Sequence, residues 1–298
     1  MNQQLWTIVL LSVYFLLFVA AVLGIGLWRI KRRREKPPLE FKLLRGPGES
    51  LRQRMNKFDE NFIFQIGGAA MVPIVAGLLT LGALIWATPH MKLWLGLTIV
   101  AVVVAPLVFF AGRWALAKFL RARNDRLGYL GERAVGEALL PLVASGYRVF
   151  HDVPAEANQA KFNVDHVVVG PTGVFAIETK TRRKGRVRPG FEAHKVAYDG
   201  RQLIWPWGED AFGLKNAVDR ARWLSEKLNQ LTGYGLAAQP VLVLPGWYVV
   251  PKGLGPVIVA NHKTVLGAIT RGPQGALTEE QVDLIARQLD QLCRDVED

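Results

Sequence analysis

Between Leu5 and Trp28 the chain runs for 24 residues without a charge, most of them Leu, Val, Ile, Phe and Ala. A helix needs about 20 such residues to cross the hydrocarbon core of a bilayer. A secretory signal would carry positive charge before the apolar run and a small-residue cleavage site after it. Here the order is reversed: Met1-Asn2-Gln3-Gln4 is uncharged and Lys31-Arg32-Arg33-Arg34 follows. The expectation is a retained anchor helix over residues 1–28. Two further apolar stretches, about Ile66 to Ala87 and Leu93 to Gly112, flank Thr88-Pro89-His90-Met91-Lys92 and read as a transmembrane hairpin over 66–112. Gly67, Gly68, Gly77 and Gly82 suit membrane helices, where small residues permit close packing. A buried helical hairpin in a globular core is the competing reading.

Positive charge orients these spans. Residues 29–65 hold eleven Lys/Arg, the 88–92 turn holds one, and Arg113 to Arg126 holds five. Basic loops stay in the cytoplasm. The N-terminus is then expected outside, with the 29–65 loop and everything from Arg113 inside, and the location is expected to be a bacterial inner (cytoplasmic) membrane. Pro37-Pro38 and Gly46-Pro47-Gly48 make 29–65 read as a basic loop facing the lipid bilayer, with a short amphipathic helix from Ser50. Residues 113–126 read as a juxtamembrane helix. The overall charge of +12 invites a nucleic-acid reading, but residues 1–120 carry 14 basic and 5 acidic residues, against 23 and 20 in 121–298. Most of the excess therefore lies beside the membrane. Cys293 is the only cysteine, so no internal disulfide forms.

Residues 127–298 read as a soluble α/β domain. Leu127 to Ala144 has apolar residues at helical spacing, and Gly146 stops it. Tyr147 to Val153 is a strand. Val164 to Val169 and Val174 to Ile177 are β-branched runs around Gly170-Pro171-Thr172-Gly173, a hairpin signature. Residues 181–215 form a long polar segment. Asn216 to Leu231 is a helix, Val241 to Leu244 and Val257 to Val259 are strands, and Thr278 to Val296 is a helix opened by a Thr278/Gln281 capping box.

The hairpin carries the candidate chemistry. Pairing Gly170 with Gly173 across a two-residue turn puts Asp165 opposite Glu178. Glu178 and Lys180 share a face because strand side chains alternate. Opposed like charges are destabilising, and a divalent cation bridging both carboxylates is the simplest compensation. Mg²⁺ takes hard oxygen ligands, keeps waters, and is served by two carboxylates and a backbone carbonyl. Lys180 beside it would orient an attacking water and stabilise charge on a phosphate. The competing reading is a solvated strand end with a Glu/Lys pair.

Gly131-Glu132 near the start of a helix, then Val164-Asp165-His166-Val167-Val168-Val169-Gly170-Pro171, Gly173-Val174-Phe175 and Ile177-Glu178-Thr179-Lys180, resemble the nuclease-related domain (NERD) family over about residues 125–240. That family belongs with the PD-(D/E)xK nucleases. The resemblance implies a restriction-endonuclease-like fold with a central mixed sheet flanked by helices. It implies Asp165 and Glu178 as ligands of Mg²⁺ (or Mn²⁺), Lys180 as the catalytic lysine, and Glu132 as the helical acid completing the site. The family often opens its next helix with Asn-Pro and a Gln a few residues later. Here Asn216 matches, while Ala217 and Arg220 depart from that pattern.

Arg182, Arg183, Lys184 and Arg186 follow the site directly and are candidate contacts to a DNA or RNA backbone. Trp205 and Trp207 either stack bases or anchor their own loop. His166 points away from Asp165 and reads as structural, and Glu137 as solvated. Two functions follow as expectations. One is a membrane-tethered, metal-dependent nuclease at the cytoplasmic face. The other is a catalytically inactive module of the same fold that binds nucleic acid or a protein partner at the membrane.

Overall fold

The computed structural model describes residues 43–296 and Gly24, apart from Pro89, Asn158 and 273–275. The expected anchor over 1–28 and the basic run at 31–36 lie outside the described residues, Gly24 excepted. The chain divides into two compact units. One comprises 1–41, 61–111 and Asp298; the other comprises 42–60 and 112–297.

In the first unit the described residues are helical on either side of the 88–92 turn. They belong to α1 (Glu49–Ala87) and α2 (Leu93–Leu139). Two stretches are long and apolar enough to cross a membrane, with mean hydropathy 2.1 from Gln65 and 2.6 from Leu93. Leu79, Trp86, Leu93, Trp94 and Val102 point outward. Each helix holds a proline, Pro73 in α1 and Pro106 in α2.

Two expected boundaries dissolve. The 29–65 segment does not stay a loop up to the second apolar stretch, because α1 begins at Glu49 and continues unbroken. From Ser50 to Ile66 there is no proline or glycine to stop it. Likewise the 113–126 helix and the helix expected from Leu127 are one with the preceding stretch, since α2 runs from Leu93 to Leu139. Gly128, Gly131 and Gly136 do not break it. Each faces a packed neighbour, and a glycine's modest helix penalty is offset by such close contact. A short α3 (Pro141–Ala144) follows.

The second unit is built on a five-stranded mixed sheet. Its strands are β2 (Arg148–Ala157), β3 (Ala160–Gly170), β4 (Gly173–Thr179), β8 (Ala238–Val243) and β10 (Ile258–Ala260), in the order β10-β8-β4-β3-β2. The hairpin register is as expected: Gly170 pairs with Gly173, Val169 with Val174, and so on to His166 with Ile177, without a bulge. β4 then runs parallel to β8, and β8 parallel to β10. Val167, Val169, Val174 and Ala176 face α4 (Phe212–Thr232) and α6 (Glu279–Cys293) on one side. Val168, Phe175 and Ile177 face Val135 and Leu139 of α2 and α5 (Val265–Thr270) on the other. Burial on both faces explains why these strands read as continuous Val runs instead of alternating ones. The fold is thus mixed α/β with helices on both sheet faces.

The 181–215 segment is not simply a loop. It holds β5 (Lys195–Tyr198), β6 (Leu203–Trp205) and β7 (Gly208–Asp210), which with β9 (Tyr248–Pro251) form a second sheet in the order β7-β6-β5-β9. These strands are three or four residues long, and β5 pairs in parallel with a strand some 50 residues downstream (Lys195 with Tyr248). Such pairing leaves no local pattern to read. The capping box forms as expected: Thr278 N–H donates to Gln281 Oε1 at 2.9 Å and Gln281 N–H to Thr278 Oγ1 at 3.3 Å. The last helix ends earlier than expected, at Cys293. β11 (Arg294–Val296) then pairs antiparallel with β1 (Leu43–Leu44).

Candidate active site

Two carboxylates and a lysine gather where β3 and β4 leave the hairpin ladder, and a third carboxylate, Glu132, lies near enough on α2 for its charge to be felt. The ladder ends at His166–Ile177, one pair short of Asp165 and Glu178. There Asp165 Oδ2 accepts the Thr179 N–H at 2.7 Å, which ties the end of β3 to the end of β4. Its Oδ1 accepts no hydrogen bond among the described residues. Glu178 is 3 % exposed. Its Oε1 pairs with Lys180 Nζ at 2.7 Å and accepts from Asn216 Nδ2 at 3.3 Å, and its Oε2 lies 3.9 Å from Arg220 Nε.

Glu132 reaches the same place from α2 because Gly131 lets the helix approach. A Cβ at Gly131 would lie 1.7 Å from Thr181 Oγ1, just beyond Lys180. Gly213, in the first turn of α4, similarly leaves room for the Lys180 stem: its Cβ would sit 3.3 Å from Lys180 Cγ. Lys180 Nζ also lies 5.5 Å from the centre of the Phe212 ring. The lysine is therefore held between a carboxylate and an aromatic face at the start of a helix.

The electrostatics follow from crowding acids in a partly dry space. Burial pushes the Glu132 carboxyl up to about 8, and the charges of Asp152 and Glu178 add to this, while Lys180 and Arg54 oppose it. Asp165 is raised well above the ordinary carboxylate range, first by burial and then by Glu178 and Glu132. The Thr179 N–H and Lys180 pull it back. Asp165 keeps some solvent exposure, yet protein surrounds its carboxyl closely enough for desolvation to dominate. Acids that raise one another in this way are what a bound divalent cation relieves, and the donors are hard oxygens. Among the described residues no three His, Cys, Asp or Glu side chains converge tightly enough to hold an ion unaided. The donor set on offer is two carboxylates plus water and backbone oxygen, which fits Mg²⁺ better than Zn²⁺.

The four basic candidates after the site separate into two pairs. Arg182 is engaged: its guanidinium pairs with Asp210 at 2.9 Å and lies 5.0 Å from the Trp205 ring centre, and its carbonyl accepts from Trp247 Nε1 at 3.2 Å. Arg183 donates to Asn124 Oδ1 at 2.8 Å and to the Arg123 carbonyl at 3.1 Å, both on α2. Lys184 and Arg186 are exposed and have no partner among the described residues. Trp205 and Trp207 stack on each other at 5.5 Å and meet Trp247 edge-on, so they brace the second sheet. Trp205 is 1 % exposed and cannot offer a face to a base. Glu137 pairs on the surface with Arg133 at 2.9 Å.

Residues 127–245 match the nuclease-related domain, NERD. No curated protein and no solved structure matches the chain. The matched NERD segment contains Glu132, Asp165, Glu178 and Lys180, together with Asn216 and Arg220.

Sequence reasoning left Arg220 without a role and missed Asp152. Arg220 bridges Glu178 and the face of Phe162, 4.0 Å from its ring centre. Its place four residues after Asn216, on one helix face, was the available signal. Asp152 lies opposite Asp165 in the β2–β3 register, where the ladder skips a pair, and its φ is +50°. His151 and His166, far apart in sequence, are cross-strand neighbours with Nδ1 atoms 2.8 Å apart. His166 is fully buried and, by strand alternation, lies on the sheet face opposite to that of Asp165.

Proposed function

We propose that this chain is a membrane-tethered, metal-dependent phosphodiesterase acting on DNA or RNA. The observation that carries this reading is a pair of acids at the end of the hairpin, Asp165 and Glu178, with Lys180 paired to Glu178 at 2.7 Å and Glu132 on α2 near enough for its charge to act on Asp165. A binding surface for phosphates would gather cations there, not acids that destabilise one another. The nuclease-related character of residues 127–245 agrees with it.

In this reading Asp165 and Glu178 hold Mg²⁺ or Mn²⁺, which when bound would polarise a phosphoryl group and activate water. Lys180 orients the attacking water and stabilises negative charge on the phosphate. Asn216 and Arg220 fix the Glu178 carboxylate. Glu132 completes the acidic face from α2. Lys184 and Arg186 contact the nucleic-acid backbone, while Arg182 and Arg183 shape the loop that presents them. The fold underneath is proposed to be of restriction-endonuclease type. The apolar stretches from Gln65 and Leu93 span the bilayer, with Trp86 and Trp94 beside the turn at an interface and the domain on the basic, cytoplasmic side.

One observation favours a second reading, an inactive binding module. Lys180, Asn216 and Arg220 already satisfy much of Glu178 without any ion. The full chain in detergent, incubated with single- and double-stranded oligonucleotides and Mg²⁺ or Mn²⁺, separates the two against Asp165→Ala. Metal-dependent cleavage lost in the variant supports the enzyme. Equal background from both proteins refutes it.

A further inference from the structure

Gly128, Glu132 and Gly136 recur every four residues on α2 and therefore form one stripe on its surface. A segment outside the matched NERD residues lies along that stripe. A Cβ at Gly136 would meet the Pro47 ring at 2.5 Å, and one at Gly128 would meet Leu51 Cδ1 at 3.1 Å. Between them Gly48 backs onto the acid itself: a Cβ there would lie 2.8 Å from Tyr129 and 3.6 Å from Glu132 Oε2. Glycines on both sides of Glu132 are the reason the segment can come this close.

The strap is fastened by a buried polar cluster. Asp152, 3 % exposed, accepts from Arg45 Nη1 at 2.6 Å, from Ser50 N–H at 3.0 Å and from Ser50 Oγ at 2.7 Å, all on Oδ2. Its Oδ1 accepts from Asn163 Nδ2 at 2.9 Å, and Asn163 also bonds Ser50 Oγ. The Arg45 N–H donates to the Cys293 carbonyl at 3.1 Å. The carboxylate thus holds the first turn of α1, in the place an N-capping side chain would take. Asp152 keeps a positive φ of 50° to do so, a conformation that the cluster around it must enforce.

We propose that residues 45–51 form a wall of the acidic site and hold Glu132 in its working position, with Arg45 and Asp152 as positioning residues. This rests on the nuclease reading and extends the site beyond the family segment. Since the strap runs directly into α1, release of the Asp152 cluster would loosen Glu132 and the start of that helix together.

The test uses the full chain in detergent. Arg45→Ala removes the charge that pairs with Asp152, and Arg45→Lys restores it. Because a buried unpaired Asp152 endangers folding, Gly136→Ala is the second variant. It favours the helix by itself; its methyl would clash with Pro47 of the strap and make only an ordinary contact, 3.5 Å, with His151 Cε1. Three readouts are taken: Mn²⁺ affinity by calorimetry, kcat and KM for oligonucleotide cleavage, and hydrogen exchange over 128–136. Expected are losses of about 10- to 100-fold in kcat or Mn²⁺ affinity for Arg45→Ala and Gly136→Ala, the range for residues that orient metal ligands. KM is expected to stay level, exchange over 128–136 to quicken, and Arg45→Lys to recover most of the loss. If the wild type cleaves and both variants match it, the strap inference is overturned while the nuclease reading stands. If the wild type neither binds Mn²⁺ nor cleaves, the nuclease reading falls and the strap's role in the site falls with it. Faster exchange in the variants would then mark a fold contact alone.

Discussion

Replacing Glu132 with Gln is expected to stabilise the protein at alkaline pH and to change little at acid pH. The sign follows from linkage. A carboxyl raised from 4.5 to about 8 keeps its proton in the folded state where the unfolded chain has lost it, so folding loses stability as pH rises across that window. Below about 4.5 both states are protonated and the cost vanishes; above about 8 it is fully present. The span corresponds to at most ~5 kcal/mol, and solvent screening together with charge shared with Asp165 reduces it to about 2 kcal/mol. For a domain of this size that is about 4–8 °C in apparent melting temperature. Intrinsic tryptophan fluorescence of the full chain in detergent, melted at a series of pH values without divalent metal, measures it. The wild type should lose stability relative to Glu132→Gln as pH rises from about 4.5 to about 8, with the gap level above that and the curves converging in acid. Parallel curves would refute the premise that Glu132 sits desolvated among like charges. So would a Gln variant less stable at high pH.

The other predictions address single contacts. Gly131→Ala is expected to destabilise by about 1–3 kcal/mol despite better helix propensity, because the methyl meets Thr181, and Thr181→Ala in the same chain should recover much of it in urea titrations. Lys184→Ala with Arg186→Ala should weaken oligonucleotide binding and lower the salt slope by about two, whereas Arg183→Ala should leave that slope closer to the wild type. His151, which burial lowers to about 4, should make the protein lose stability as pH falls from the ordinary histidine range towards 4, and melting His151→Gln over the same range should show a shallower loss.

What the sequence determined by itself was local. The valine runs around Gly170-Pro171-Thr172-Gly173 specify a two-residue turn, and the turn specifies the register, which holds to His166–Ile177 and brings Asp165 and Glu178 to the same end of the hairpin. The Thr278/Gln281 cap and the apolar stretches from Gln65 and Leu93 are equally local, since each depends on residues within a few turns of one another. Tertiary structure decided whatever depends on partners distant in the chain. The second sheet escaped notice because β5 needs β9 to be a strand at all. The two unbroken helices escaped because hydropathy marks where an apolar span ends, not where the helix ends: no proline or glycine interrupts Ser50 to Ile66, and α2 runs on through the basic residues from Arg113 to Arg126. The basic loop after the site reads as four equal cations, and only the fold occupies Arg182 and Arg183 while leaving Lys184 and Arg186 exposed. Asp152, Arg220 and the strap over Glu132 come from three separate segments, and sequence carries no record of which distant side chains a buried charge must meet.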